Sequence, residues 1–169
     1  MTKLNLGSGI NGYDALCVIT KNPQEWKCID VCTHYWADEH YDISTGIREP
    51  DGSVEAIWMG DFFEHLHRAK APFVLSECYR VMAPGGKLLI SVPNMILTMR
   101  RWLASDGLDE GCANLIWGQQ GEGNANPDSH YNGFTEIKLR KMLEEAGFTN
   151  IVRQSFHGVW FELGMMAVK

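Results

Sequence analysis

The sequence predicts an α/β fold: a three-layer sandwich of helices around a mostly parallel sheet, finished by a C-terminal antiparallel hairpin. Three observations carry that prediction. Short apolar strand-like runs alternate with amphipathic stretches along the chain. Four of those runs end in glycine or an acid, at Gly7–Gly9, Asp30, Asp42 and Gly60–Asp61. The last two strand-like runs follow each other directly, joined through His157-Gly158.

The first strand is Lys3-Leu4-Asn5-Leu6, which delivers the chain into Gly7-Ser8-Gly9. Two glycines one residue apart let a ligand approach the backbone, because no Cβ intervenes. Such a turn after a buried parallel strand suits the phosphate, ribose or amino-acid end of a cofactor. Residues 10–25 contain Gly12 and Pro23 and few helical cues beyond Tyr13-Asp14-Ala15-Leu16-Cys17-Val18-Ile19, so a short crossover is expected. Trp26-Lys27-Cys28-Ile29-Asp30-Val31 is the second strand, and its acid lies 21 residues after Gly9. An acid at that tip accepts hydrogen bonds from both hydroxyls of a ribose. A third strand is expected at Tyr41-Asp42-Ile43-Ser44, where Asp42 either accepts from an adenine amino group or caps the following turn.

Asp51-Gly52-Ser53 is a turn, and Val54 to Met59 is the fourth strand, running into Gly60-Asp61-Phe62-Phe63-Glu64-His65. Pro72 suits the first turn of a helix that reaches about Ala83, with Phe73, Val74, Leu75, Cys78, Val81 and Met82 on one face. Pro84-Gly85-Gly86 stops it. Lys87-Leu88-Leu89-Ile90-Ser91-Val92 is nearly all apolar, hence central and parallel, and Pro93-Asn94 ends it at the same sheet edge. Met95 to Ala104 reads as a helix, and Gly/Asn/Asp-rich chain with Trp117 follows as far as His130-Tyr131. A long irregular segment in a compact domain is usually functional, so 95–133 is expected to form a lid or an acceptor-binding insertion. Thr135 caps a helix carrying Ile137, Leu139, Met142, Leu143 and Ala146, which stops at Gly147. Strands at about 149–155 and 159–168 complete the chain.

With 169 residues, one domain over 1–169 is expected. The net charge of −6 disfavours a nucleic-acid substrate. No apolar run approaches the about 18 residues that a membrane helix needs, and no signal-peptide pattern opens the chain. Five cysteines without a CxxC pair point to reduced thiols and a cytoplasmic setting. No metal site is expected: Cys28, Cys32, His34 and His40 are the nearest approach to one, and their spacing matches no common zinc template.

The motifs together resemble a class I S-adenosylmethionine-dependent methyltransferase with a Rossmann-like sandwich. The resemblance rests on Leu4-Asn5-Leu6-Gly7-Ser8-Gly9, Ile29-Asp30-Val31, Tyr41-Asp42-Ile43, Glu64-His65-Leu66, Tyr79-Arg80-Val81-Met82-Ala83-Pro84-Gly85-Gly86, Val92-Pro93-Asn94 and Leu143-Glu144-Glu145-Ala146-Gly147-Phe148. It is strongest with the small members found beside glycosyltransferases in cell-surface polysaccharide pathways. By that resemblance Gly7, Ser8 and Gly9 border the methionine part of S-adenosylmethionine, and Asp30 holds the ribose hydroxyls. Val31 then lies against the adenine, which Asp42 and Ile43 flank, and Met59, Gly60 and Asp61 line the methionine side. His65 falls near the transferred methyl. The family carries an acid where Asn5 stands, and Asn5 retains only the hydrogen bond. A covering helix before the first strand is also lacking.

The resemblance implies methyl transfer by in-line displacement to a small-molecule or saccharide acceptor, with S-adenosylhomocysteine as product. A hydroxyl acceptor also benefits from a general base. His130, at the end of the expected lid, is the first candidate and His65 the second. Trp102 and Trp117 either stack on an acceptor or pack the lid. The Asn/Asp-Pro-Pro-aromatic element of base-methylating enzymes is replaced here by Gly60-Asp61-Phe62-Phe63. Two rival readings remain at this level. Gly7-x-Gly9-x-x-Gly12 followed by Asp30 also satisfies a dinucleotide fingerprint, which would make the protein a NAD-binding oxidoreductase. A non-catalytic cofactor-binding or interaction domain of the same fold is the other.

Overall fold

The computed structural model describes residues 1–10, 16–119 and 128–169. Its strands are β1 (Thr2–Leu6), β2 (Trp26–Asp30), β3 (Glu39–His40), β4 (Val54–Gly60), β5 (Met82–Pro93), β6 (Thr149–Arg153) and β7 (Glu162–Val168). They form one sheet in the order β3-β2-β1-β4-β5-β7-β6. Strands β1 to β5 pair in parallel, whereas β7 is antiparallel to both of its neighbours, β5 and β6. The chain winds outward in one direction from β1 to β2 and β3, and in the other from β1 to β4 and β5. That reversal opens a crevice at the carboxyl ends of β1, β2 and β4.

Strand alternation divides the core in two. Ile57 and Met59 of β4 join Leu4, Leu6, Leu88 and Ile90 under two helices, α1 (Ala71–Val81) and α4 (Glu136–Glu145). These helices present Val74, Leu75, Cys78, Leu139 and Leu143 to that face. Trp58 points the other way, into a smaller cluster with Leu16, Trp26 and Cys28. Phe156 covers that cluster edge-on, with ring centroids 5.0 Å from Trp58. The Thr135 hydroxyl caps α4 by accepting from the Lys138 amide at 3.2 Å, and Gly147 (φ 101°) follows its end as a left-handed glycine.

Several expected boundaries move. The third strand is Glu39–His40, two residues earlier than read, because Asp42 caps a 3-10 turn over Ile43–Thr45 and pulls the chain off the sheet. The first helix ends at Val81, and Pro84–Gly86 lies inside the span of β5 as a bulge, where the register with β4 jumps from Val54↔Met82 to Ala56↔Lys87. The last two strands are shorter than read, and an eight-residue segment, 154–161, separates them instead of a tight turn. Within 95–133, α2 (Met95–Ala104) is as expected, but a helix absent from the sequence reading, α3 (Glu110–Trp117), follows it. Asp109 nucleates α3 by accepting from the Cys112 amide at 3.0 Å. Gly12 and the Tyr13-Asp14-Ala15 part of the expected crossover lie outside the described residues, as do 120–127 of the expected lid. No helix among the described residues is long and apolar enough to cross a membrane.

Candidate active site

The crevice holds a cavity of about 730 Å³. Gly7 and Gly9 turn the chain at the end of β1, both with φ 69°. A side chain on Gly7 would overlap the Phe62 ring, so this glycine lets the loops after β1 and β4 pack together. Gly9 differs: among the described residues nothing lies within 4 Å of where its Cβ would stand, and its backbone lines the cavity. Asp30 is buried at the tip of β2 and braces that loop. One carboxylate oxygen accepts from the Gly9 amide at 2.9 Å and the other from the Cys32 amide at 2.8 Å.

Of the residues the sequence reading assigns to the cofactor, Gly7, Gly9, Asp30, Val31, Asp42, Ile43, Asp61 and His65 lie on the cavity wall. Asn5, Ser8, Met59 and Gly60 do not. Asn5 is inside β1 rather than at its tip, buried, and its Nδ2 donates to Cys28 Sγ at 3.6 Å. Met59 belongs to the larger core, and Gly60 packs against the Trp58 ring. Ser8 is buried, with an Oγ that has no hydrogen-bond partner among the described residues. Of the two roles left open for Asp42, capping is observed: its carboxylate accepts from the Ser44 amide at 2.8 Å and the Ser44 hydroxyl at 2.9 Å.

A second cavity of about 640 Å³ adjoins the first and shares Gly9, Tyr35, Asp61, His65 and Asp128 with it. Its outer wall is built from α2, α3 and the 154–161 segment. Arg101 stacks over Trp160 at 4.7 Å and donates from Nε to Asp109 at 2.9 Å. Trp102 and Trp117 meet edge-to-face at 5.3 Å, so the two rings pack α2 on α3. The four-residue cysteine and histidine set considered from sequence is not gathered into one group.

Where the cavities meet, the segment 128–134 docks onto a 3-10 turn, Phe63–His65. The Glu64 carbonyl accepts from the amides of Tyr131 and Asn132, each at 3.0 Å, and Phe63 stacks on Phe134 at 5.2 Å. This docking brings His130 edge-to-face against His65, with ring centroids 4.7 Å apart. His65 Nδ1 lies 3.1 Å from the Ser129 carbonyl, and His130 Nδ1 lies 3.1 Å from the Leu115 carbonyl. A ring nitrogen facing a carbonyl must carry its proton, so in each neutral ring Nε2 holds the lone pair. Burial, then the neighbouring His65, pulls the His130 pKa down to about 4.

The Glu64 side chain completes the group, with Oε1 4.0 Å from His130 Nε2. Burial, then the charge of Asp61, raises its carboxyl well above the usual range. Sequence reasoning quoted Glu64 within its motif but gave it no role, and it missed Tyr35, Arg101 and Trp160. Only Glu64 carried a signal, its place next to His65.

A family model described as a methyltransferase domain matches residues 6–152. A curated relative from Mycolicibacterium smegmatis, named "Probable S-adenosylmethionine-dependent methyltransferase", is 49% identical over 47 residues. That match covers 28% of this chain and only 18% of the relative. Among solved structures, a SAM-dependent methyltransferase from Archaeoglobus fulgidus superposes with a TM-score of 0.68 at 15% identity, over 99% of this chain and 86% of that one. A Burkholderia thailandensis 1,6-didemethyltoxoflavin-N1-methyltransferase, solved with 1,6-didemethyltoxoflavin and S-adenosylhomocysteine, gives 0.62 at 16% identity, over 99% and 70%. At these identities the structures speak for the fold.

Proposed function

The chain belongs to the class I S-adenosylmethionine-dependent methyltransferases, and on that premise we propose that it methylates a small-molecule or saccharide acceptor held in the second cavity. The observation that carries this reading is the shared wall: a donor in the first cavity and an acceptor in the second would meet across Gly9, Asp61 and His65.

The residues present fit the cofactor. Gly9 leaves backbone uncovered beside the cavity, and Asp30 sits at a strand tip with a carboxylate already turned toward the loop. S-adenosylmethionine bound there supplies an electrophilic methyl group on a sulfonium sulfur. Asp30 would hold the ribose, Val31 and Ile43 the adenine, and Gly7 and Asp61 the methionine end. Ser8 Oγ, buried and without a partner among the described residues, is available to the same end. Asn5 is turned into the strand, so in this reading Asp61 supplies the nearby negative charge.

At the acceptor end, His130 and His65 stand beside the reacting atom. Their fixed Nδ1 contacts hold each Nε2 as the hydrogen-bond acceptor for an incoming hydroxyl. Burial makes His130, the first candidate from sequence, a weak base that orients this hydroxyl, and His65 is the candidate for drawing off its proton. Trp160 and Arg101 form a stacking edge suited to a sugar or an aromatic ring. The described parts of 95–133, α2, α3 and the residues from 128 on, thereby act as the acceptor wall.

The test is calorimetric titration with S-adenosylmethionine, S-adenosylhomocysteine and NADH, followed by an acceptor screen that reads S-adenosylhomocysteine. Micromolar binding of the first two and turnover with a hydroxylated acceptor are expected. Binding of NADH alone would overturn the reading, and cofactor binding with no turnover on any acceptor would point to a non-catalytic domain.

A further inference from the structure

We propose that Glu64, His65 and His130 form a binding site for a divalent transition-metal cation, facing the second cavity. This rests on the reading of that cavity as the acceptor site and changes how the two histidines serve it. Each Nε2 lone pair would go to the cation, and the acceptor oxygen would be held and activated as a further ligand of the metal rather than by an imidazole base.

Four features of the structure support the site. The three side chains bring two imidazole nitrogens and a carboxylate oxygen within 4.8 Å of one another. Closing to the about 3.4 Å spacing of ligands around a tetrahedral ion needs only small side-chain rotations. Both imidazoles are oriented as ligands are, with Nδ1 committed to a backbone carbonyl, Ser129 for His65 and Leu115 for His130, and the lone pair left on Nε2. Glu64 is 2% exposed, and its Oε2 has no hydrogen-bond partner among the described residues, an arrangement that a buried carboxyl rarely tolerates without a cation or a proton. Finally, His65 lies on the walls of both cavities, so the group stands where donor and acceptor meet.

The donor set narrows the ion. Two imidazoles and one carboxylate suit Zn²⁺, Mn²⁺ or Fe²⁺ better than Mg²⁺ or Ca²⁺, which prefer oxygen ligands. Three protein ligands also leave positions open, the arrangement of a catalytic rather than a structural metal. A cation there would polarise an acceptor hydroxyl as a Lewis acid and fix its oxygen in place.

The experiment uses the full chain, stripped with a chelator, and titrates it with Zn²⁺, Mn²⁺ and Mg²⁺ by calorimetry. Co²⁺ absorption serves as a second readout of ligand number. One equivalent of Zn²⁺ or Mn²⁺ should bind at micromolar or tighter affinity, with Mg²⁺ at least 100-fold weaker. His130→Ala and the isosteric Glu64→Gln should each weaken binding by at least 100-fold, while His34→Ala and His40→Ala leave it unchanged. S-adenosylhomocysteine binding and thermal unfolding of the same variants report folding. Undiminished S-adenosylhomocysteine affinity with no metal uptake, or metal uptake that survives both variants, would overturn the metal site and leave the methyltransferase reading standing. Loss of S-adenosylhomocysteine binding by the unmodified chain would instead strike that reading itself.

Discussion

The two cavities are built by opposite means. The first is a product of main chain: two glycines at one strand tip, and an acid at the next that accepts from the amides of Gly9 and Cys32. The second is a product of side chains from distant segments, with His65, Arg101, His130 and Trp160 converging from four parts of the chain. Geometry set by backbone suits a ligand that never changes. Geometry set by side chains on helices and a loop can be altered one residue at a time without disturbing the sheet, which is how one fold serves many acceptors.

Asp30→Ala should break the first cavity most severely. Removing an acid that makes charge-assisted hydrogen bonds to a ribose, and that also braces the Gly9 loop, is expected to weaken S-adenosylhomocysteine binding roughly 10²- to 10³-fold by calorimetry. An effect below about threefold would mean that the ribose lies elsewhere. Gly7→Ala comes next. The new methyl group would overlap Phe62 in a left-handed backbone conformation, and a loss of about 2–4 kcal/mol in unfolding free energy is expected from denaturant titration. Gly9→Ala, with space around it, should cost the cofactor affinity more than the stability.

Arg101→Ala tests the independence of the two regions. It is expected to raise the acceptor KM about 10-fold through the lost stacking edge, with cofactor affinity unchanged. A parallel loss of cofactor binding would show that the acceptor wall also shapes the first cavity. The smallest effect belongs to Asp42→Ala, which should lower stability by about 1 kcal/mol as a lost cap. A drop of tenfold or more in cofactor affinity would restore the adenine-amino role that the sequence left open.

The same contrast explains what could be read in advance. Strand tips are legible because a buried apolar run, a glycine and an acid are local signals, and Gly7, Gly9, Asp30 and Asp61 reached the cavity as read. Asn5 and Met59 did not, because both stop short of the strand ends and are buried on opposite faces of the sheet, Asn5 against Cys28 and Met59 in the larger core. The α3 helix was hidden by its composition: Gly111 and Asn114 resemble loop chain, while the Asp109 cap and the packing of Trp117 on Trp102 support the helix. The meeting of Glu64 with His130 was also out of reach. It depends on two main-chain hydrogen bonds between segments more than 60 residues apart, which no spacing rule reports.

The place of β7 between β5 and β6 has a consequence for the order in which the molecule assembles. Strand β6 has no neighbour in the sheet other than β7, so it must wait, unpaired, for a strand that is synthesised after it. Glu162, the first residue of β7, is also the anchor of the 154–161 segment, accepting from the amides of Phe156 at 2.8 Å and His157 at 3.1 Å. Most of the lining of the first cavity, from Gly7 to Lys70, is therefore synthesised well before the strand that anchors Trp160 and its neighbours.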